Sequence, residues 1–132
     1  MNTINTTLPI NRLTQEVVDC IYTVHKNLGP GLLESIYETC LCYELEKRNI
    51  AFERQKTLPI SYKDVTFEAG LRLDILIEKQ LIIELKSVEK ILPVHEAQII
   101  SYLKLANKDI GFLVNFNVEL IKQGIKRYIS TK

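Results

Sequence analysis

The chain has 132 residues, of which 46% are hydrophobic and 25% are charged, proportions that are ordinary for one globular domain with one core. Its formal net charge of +1 gives no overall sign of nucleic-acid binding, for which a local basic patch would still be sufficient. No apolar run is long enough to cross a bilayer, and the start MNTINTTLPI lacks the basic and apolar regions of a secretory signal.

We expect residues 1–10 to form a flexible tail and residues 11–132 to form a single domain. The cysteines are Cys20, Cys40 and Cys42. This odd, sparse set predicts a reduced, cytoplasmic protein rather than a disulfide framework. Without a second pair of ligands, Cys40 and Cys42 do not predict a zinc or iron–sulfur site.

Two helices are predicted first. The stretch TQEVVDCIYTVHKNLG has a helical apolar stripe, with Thr14 as its expected N-cap and Gly29 at its end. After the break at GPG, LLESIYETCLCYELEKRN forms the second helix, with acidic residues early and Lys47 and Arg48 late, as the helix dipole favours.

Strands and a third helix follow. Residues 52–62 are extended, and Pro59 favours an edge position for them. Further strands are predicted at about 65–77, 81–87, 110–116 and 124–130, with a helix after Pro93. Because that helix connects the strands at 81–87 and 110–116, these two run parallel. The predicted fold class is α/β, a central mixed β-sheet flanked by helices.

The hairpin RLDILIEKQLIIELK has an unusual charge pattern. If Ile77 faces Leu81, then Asp74 lies opposite Glu84 and Arg72 lies opposite Lys86, and like charges directly across a strand pair are destabilising. Because side chains alternate between the two faces of a sheet, Leu73, next to Asp74, lies on the opposite, core-facing side.

The opposed acids have two physical explanations. If their face is wet, the repulsion is screened and needs no function. If a helix covers it, a divalent cation between the acids would compensate, and oxygen ligands favour Mg²⁺ or Mn²⁺. A slip of one residue in register would instead separate the acids.

Two further polar patterns lie on helices. Gln98 and Tyr102 are four residues apart, and so share a face. Glu34 stands between Gly31 and Tyr37 in GLLESIYE, on a face that we expect to point inward. Taken singly, each has a structural explanation: a polar helix face, or a glutamate that stabilises a helix N-terminus.

The ordered set of these residues resembles the PD-(D/E)xK nuclease superfamily, and the Gln-x-x-x-Tyr element resembles its RecB-like branch. More narrowly, GLLESIY resembles the signature of the GxxExxY protein family, as do IIELKSVEKILPVHEAQIISYLKL and GFLVNFNV. The resemblance covers about residues 13–129 and implies a restriction-endonuclease-like core. Leu73 stands where the motif has proline.

The resemblance implies a metal-dependent nuclease that hydrolyses phosphodiester bonds of DNA or RNA. Mg²⁺ or Mn²⁺ would be held by Asp74, Glu84, the carbonyl of Leu85, and Glu34 directly or through water. Lys86 would activate the attacking water and stabilise negative charge. The implied catalytic residues are Glu34, Asp74, Glu84, Lys86, Gln98 and Tyr102.

Another class of function stays open. The chain has little beyond a core fold with which to grip a substrate, so the alternative is a non-catalytic module that binds nucleic acid or a protein partner. For the same reason the chain could act as a homodimer or a subunit. A third reading is a bland domain whose charged hairpin face is simply solvated.

Overall fold

The computed structural model describes residues 8–130. The predicted α/β class is confirmed, with a five-stranded mixed sheet between helices. The helices and strands follow in the order α1 (Ile10–Leu28), α2 (Glu34–Lys47), β1 (Phe52–Tyr62), β2 (Val65–Ile77), β3 (Leu81–Lys86), α3 (Pro93–Leu105), β4 (Ile110–Asn115), a 3-10 helix (Ile121–Gly124) and β5 (Ile125–Ile129). No helix within residues 8–130 has the length and apolar character needed to span a membrane.

Helix α1 begins earlier than expected. Residues 1–7 of the predicted tail lie outside the described residues, but Leu8 and Ile10 pack against the core. Pro9, not Thr14, is the N-cap residue of α1, and the Thr14 hydroxyl donates to the carbonyl oxygen of Asn11 within the helix. The helix begins early because Ile10 and Leu13, which both precede the predicted cap, pack in the core from helical positions.

The strands lie in the order β1-β2-β3-β4-β5. Neighbours β3 and β4 are parallel and are connected through α3, as predicted, and the other neighbours are antiparallel. Strand β1, which contains Pro59, forms an edge of the sheet, which suits a residue that cannot donate a ladder hydrogen bond.

Each face of the sheet has its own core. Helices α1 and α2 cover one face, where Ile75, Ile77 and Leu81 are fully buried. Helix α3 covers the other face with Ile99 and Leu103, which pack in a cluster with Leu73, Leu76, Ile82 and Leu113. The predicted side of Leu73 is therefore wrong: it lies under α3, although Ile75, two residues later, lies under α1 and α2. Regular alternation is lost at Asp74, between them.

Tyr37 fixes the turn that leads into α2. Its ring is fully buried and stacks on Phe116, with ring centroids 4.4 Å apart. Its hydroxyl donates to the carbonyl oxygen of Gly29 at 2.6 Å and accepts from the backbone N–H of Leu32 at 3.1 Å. Gly31 in this turn has a φ of 95°, which favours glycine. The glycine and the tyrosine of GLLESIY thus shape the turn in front of Glu34.

Replacing Tyr37 by phenylalanine is expected to destabilise the protein by about 1–3 kcal/mol, because a carbonyl oxygen and an N–H of a partly buried turn lose their partner. Urea unfolding measures the change. Tyr43→Phe is the matched control, since this side chain of the same helix is 59% exposed and its change should stay within about 0.5 kcal/mol. Equal effects of the two substitutions would contradict the role of the Tyr37 hydroxyl.

Candidate active site

The site lies where β2 and β3 separate. Ile77 pairs with Leu81, as predicted, but the ladder between these strands ends at Ile75 and Ile83. Asp74 and Glu84 come immediately beyond that last pair. The predicted register therefore brings the two acids together, but at the point where main-chain pairing has stopped.

The two carboxylates replace the missing ladder bonds. Oε2 of Glu84 accepts from the backbone N–H of Asp74 at 3.0 Å, and Oδ2 of Asp74 accepts from the backbone N–H of Leu85 at 2.8 Å. Each acid is thus tied to the main chain of the opposite strand. This exchange is a physical answer to the unfavourable charge pattern, because charged acceptors make strong hydrogen bonds to N–H donors.

The cations of the hairpin do not oppose each other. Arg72 pairs in register with Thr57 of β1 and is exposed. Lys86 is half-buried and donates from Nζ to Oε1 of Gln98 at 3.4 Å. The predicted opposition of Arg72 and Lys86 is absent because the β2–β3 ladder has ended before either residue.

Burial and mutual repulsion set the protonation of the acid pair. Glu84 is only 3% exposed, and burial, followed by the charge of Asp74, raises its pKa to about 8. The pKa of Asp74 is raised chiefly by burial and then by the charges of Glu38 and Glu34, while the Leu85 N–H and Lys86 act in the opposite direction. The ionised pair therefore requires additional positive charge.

This arrangement makes stability depend on pH. The pKa of Glu84 is 4.5 in the unfolded chain and about 8 in the folded protein. Because the folded state binds more protons between these values, the free energy of unfolding falls as pH rises through that range. In Glu84→Gln, which keeps an acceptor for the Asp74 N–H, most of this decline should disappear. At about pH 8 the free energy of unfolding of Glu84→Gln should exceed that of wild type by an amount of the order of a few kcal/mol.

Thermal unfolding in a chelator at about pH 5 and about pH 8 tests this expectation. The wild type should lose more stability between the two values than Glu84→Gln does. Glu68→Gln, which removes an exposed carboxylate of β2, is the control. If wild type and Glu84→Gln decline equally, Glu84 is not the group responsible.

Lys86, Gln98 and Tyr102 form a connected polar row. The Gln98 side chain accepts from Lys86 through Oε1 and donates from Nε2 to the Tyr102 hydroxyl at 3.1 Å. These two bonds fix the orientation of the amide, because its oxygen faces a cation and its nitrogen faces an acceptor. The predicted sharing of one α3 face by Gln98 and Tyr102 is thus confirmed, and that face meets Lys86 at the end of β3.

Glu34 is positioned differently from the expectation. It begins α2 and is exposed to solvent, whereas Tyr37 is the residue of this motif that points into the core. The inward direction predicted for Glu34 is therefore wrong. It lies close enough, however, for its charge to raise the pKa of both Asp74 and Glu84.

Sequence reasoning missed three residues beside the acids. Glu38, one turn after Glu34, accepts from Arg54 Nε through Oε2 at 3.1 Å and from Gln55 Nε2 through Oε1 at 2.7 Å. The Gln55 amide also approaches Oδ1 of Asp74 at 3.5 Å. The spacing of four between Glu34 and Glu38 was the available signal, since it places both on one side of α2.

The donor set suits a hard cation that keeps part of its water shell. Within residues 8–130 no group of three or more His, Cys, Asp or Glu side chains could hold a metal ion, so an all-carboxylate cage including Glu34 is not formed. Asp74 and Glu84 each use one oxygen for the hydrogen bond to the opposite strand. Mg²⁺ is commonly bound through only one or two carboxylates plus water and substrate oxygens, and the residues present fit that requirement.

Comparison with known proteins gives one match. Residues 11–128 match the family model described as the PD-(D/E)XK nuclease superfamily. Searches of curated proteins and of solved structures returned no significant match. The matched region includes all the helices and strands given above, apart from the first residue of α1 and the last residue of β5. The superfamily predicted from the sequence is confirmed, and the chain belongs to the PD-(D/E)XK nuclease superfamily.

Proposed function

We propose that the protein is a divalent-metal-dependent nuclease that hydrolyses phosphodiester bonds of DNA or RNA, within the GxxExxY branch of the superfamily. One observation carries the proposal: a half-buried and a buried carboxylate, Asp74 and Glu84, repel each other beside a lysine whose partner is an oriented amide. Membership of the superfamily supports nuclease chemistry and nucleic acid as the partner.

Asp74 and Glu84 would hold Mg²⁺ or Mn²⁺, with the carbonyl of Leu85 as a further oxygen ligand and Glu34 acting through water or through its charge. When bound, the cation supplies positive charge beside the scissile phosphate and acidifies a water molecule. The GLLESIY signature supports the narrower assignment, because Tyr37 and Gly31 shape the turn that places Glu34 at the start of α2.

The remaining polar residues bind and orient. Lys86 would donate to a phosphate oxygen, where its charge stabilises the negative charge that grows in the transition state. The Gln98 amide binds Lys86 through its oxygen and the Tyr102 hydroxyl through its nitrogen. Because the Tyr102 hydroxyl accepts from Gln98, its own proton is available for a phosphate or for water.

The test is a cleavage assay on supercoiled DNA, linear duplex, single-stranded DNA and single-stranded RNA, each with Mg²⁺, Mn²⁺ or a chelator. We expect cleavage of at least one substrate with metal and none with the chelator. The same preparation of Asp74→Asn must be inactive, which excludes a contaminating nuclease. Absence of cleavage on all four substrates with both metals would contradict the proposal.

One observation favours the alternative, a binding module without catalysis. At the distal end of the β1–β2 hairpin, Ile60 pairs with Phe67 and Tyr62 pairs with Val65, so all four side chains lie on one face. Tyr62, Val65 and Phe67 are 62%, 51% and 53% exposed. An exposed apolar face of this kind suits a protein partner or a second copy of the chain.

Thermal unfolding with and without Mn²⁺ separates the two candidate functions. A ligand that binds only the folded state raises the melting temperature by mass action, so the nuclease proposal expects a rise in wild type that is absent in Asp74→Asn. The binding module expects no rise.

In either case the free thiols of Cys20, Cys40 and Cys42 support a cytoplasmic location.

A further inference from the structure

We propose that Gln55 is a positioning residue of the active site, whose side-chain amide holds the carboxylate of Asp74 in place by bridging it to Glu38. The inference rests on the proposed nuclease function. Gln55 is outside the motif residues and on the edge strand β1, and it reaches the site only through its side chain.

The amide stands between two acids. Nε2 of Gln55 lies 2.7 Å from Oε1 of Glu38 and 3.5 Å from Oδ1 of Asp74. A primary amide nitrogen has two protons to donate, and an ionised carboxylate can only accept. The same group can therefore satisfy both acids, which would otherwise repel each other directly.

The backbone of β1 is distorted at this residue. Gln55 has a φ of 47°, in the left-handed region that non-glycine residues rarely adopt. Arg54 pairs with Ile75 and Lys56 pairs with Leu73, but Gln55 and Asp74, between them, are not a pair. Backbone strain of this kind is destabilising and persists where surrounding contacts impose it.

The distortion has a specific result. Consecutive residues of a regular strand point to opposite faces of the sheet, yet Arg54 and Gln55 both bind the carboxylate of Glu38. The left-handed residue turns the Gln55 side chain to the side of α2. Asp74, which Gln55 approaches, is also the residue at which the side chains of β2 stop alternating between the two faces. Strands β1 and β2 are therefore both irregular at these two adjacent residues.

Glu38 serves as the anchor of this arrangement. Its side chain is only 12% exposed, and Arg54 binds one oxygen while Gln55 binds the other. Both oxygens are thus engaged by β1, which makes Glu38 a fixed support rather than a metal ligand. The chain of contacts runs from α2 through Glu38 and Gln55 to Asp74.

The experiment compares Gln55→Ala with Gln55→Gly. Both remove the amide, but glycine adopts the left-handed conformation without strain whereas alanine does not. Mn²⁺ affinity is measured by calorimetry, activity is measured at saturating Mn²⁺, and stability is measured by urea unfolding. Thr57→Ala, two residues along the same exposed strand, is the matched control.

We expect both Gln55 variants to bind Mn²⁺ about 10- to 100-fold more weakly than wild type, the range seen when groups that orient metal ligands are removed. Gln55→Gly should nevertheless be more stable than Gln55→Ala. A merely structural role predicts instead that Mn²⁺ affinity follows stability, with the glycine variant restored toward wild type.

Three outcomes decide the matter. Weakened Mn²⁺ binding in both variants, with Thr57→Ala unchanged, supports the role of the amide. Wild-type affinity in either Gln55 variant overturns it and leaves the proposed nuclease function standing. Failure of the wild type to bind Mn²⁺ overturns the role of Gln55, and the proposed function is overturned with it only when the wild type also cleaves no nucleic acid.

Discussion

Replacing Asp74 by asparagine is expected to weaken Mn²⁺ binding by at least about 100-fold, more than the loss of a group that only orients a ligand, and to reduce nuclease activity to background. Asparagine keeps an acceptor for the backbone N–H of Leu85, which Asp74 binds at 2.8 Å. The variant should therefore fold, and it should be at least as stable as wild type, because a half-buried charge that repels Glu84 has been removed.

Calorimetry with Mn²⁺ and a cleavage assay on the same sample measure the two effects. Asp64→Asn is the control, since Asp64 lies exposed in the turn between β1 and β2. Retained Mn²⁺ affinity in Asp74→Asn would show that the metal, if bound, lies elsewhere. A variant that fails to fold would contradict the reading of Asp74 as an acceptor that asparagine can replace.

Lys86→Met is expected to separate binding from turnover. Removal of the ammonium group should lower the rate at saturating metal by about 100- to 1,000-fold, as expected for loss of one group that stabilises transition-state charge. Mn²⁺ affinity should be unchanged or tighter, because the positive charge of Lys86 acts on both Asp74 and Glu84 and competes with a cation for them.

Single-turnover kinetics measures the rate and calorimetry measures the affinity. Lys104→Met, an exposed lysine of α3, controls for the loss of a positive charge. Activity of Lys86→Met within a few-fold of wild type would remove Lys86 from the proposed catalytic set. Loss of Mn²⁺ affinity would show that Lys86 organises the acids instead of acting on the substrate.

Local patterns were sufficient to predict most of the fold. The limits of β1 and β2 follow from an extended stretch, the turn at Lys63–Asp64 and the apolar run that ends at Ile77. The parallel pairing of β3 and β4 follows from the helix between them. The spacing of Gln98 and Tyr102 predicted their shared face because helix geometry alone decides it.

Tertiary contacts decided what the patterns could not. Alternation placed Leu73 with Ile75, and it failed because Asp74 breaks the regular strand beside a left-handed Gln55. Glutamine is not a typical residue for that conformation, so the sequence carried no signal for it. The contacts of Glu38 depend on where α2 packs against β1, which helical spacing does not specify.

The exchange of hydrogen bonds between Asp74 and Glu84 also bears on how this protein could change over evolutionary time. Each carboxylate accepts a hydrogen bond from a main-chain N–H of the other strand. The residues that would hold the metal therefore also stabilise the hairpin. A descendant that lost the proposed reaction would still need acceptors there, because a backbone N–H without a partner in this partly buried gap is costly. Homologues that have lost catalysis should therefore have asparagine or glutamine at these two positions more often than alanine.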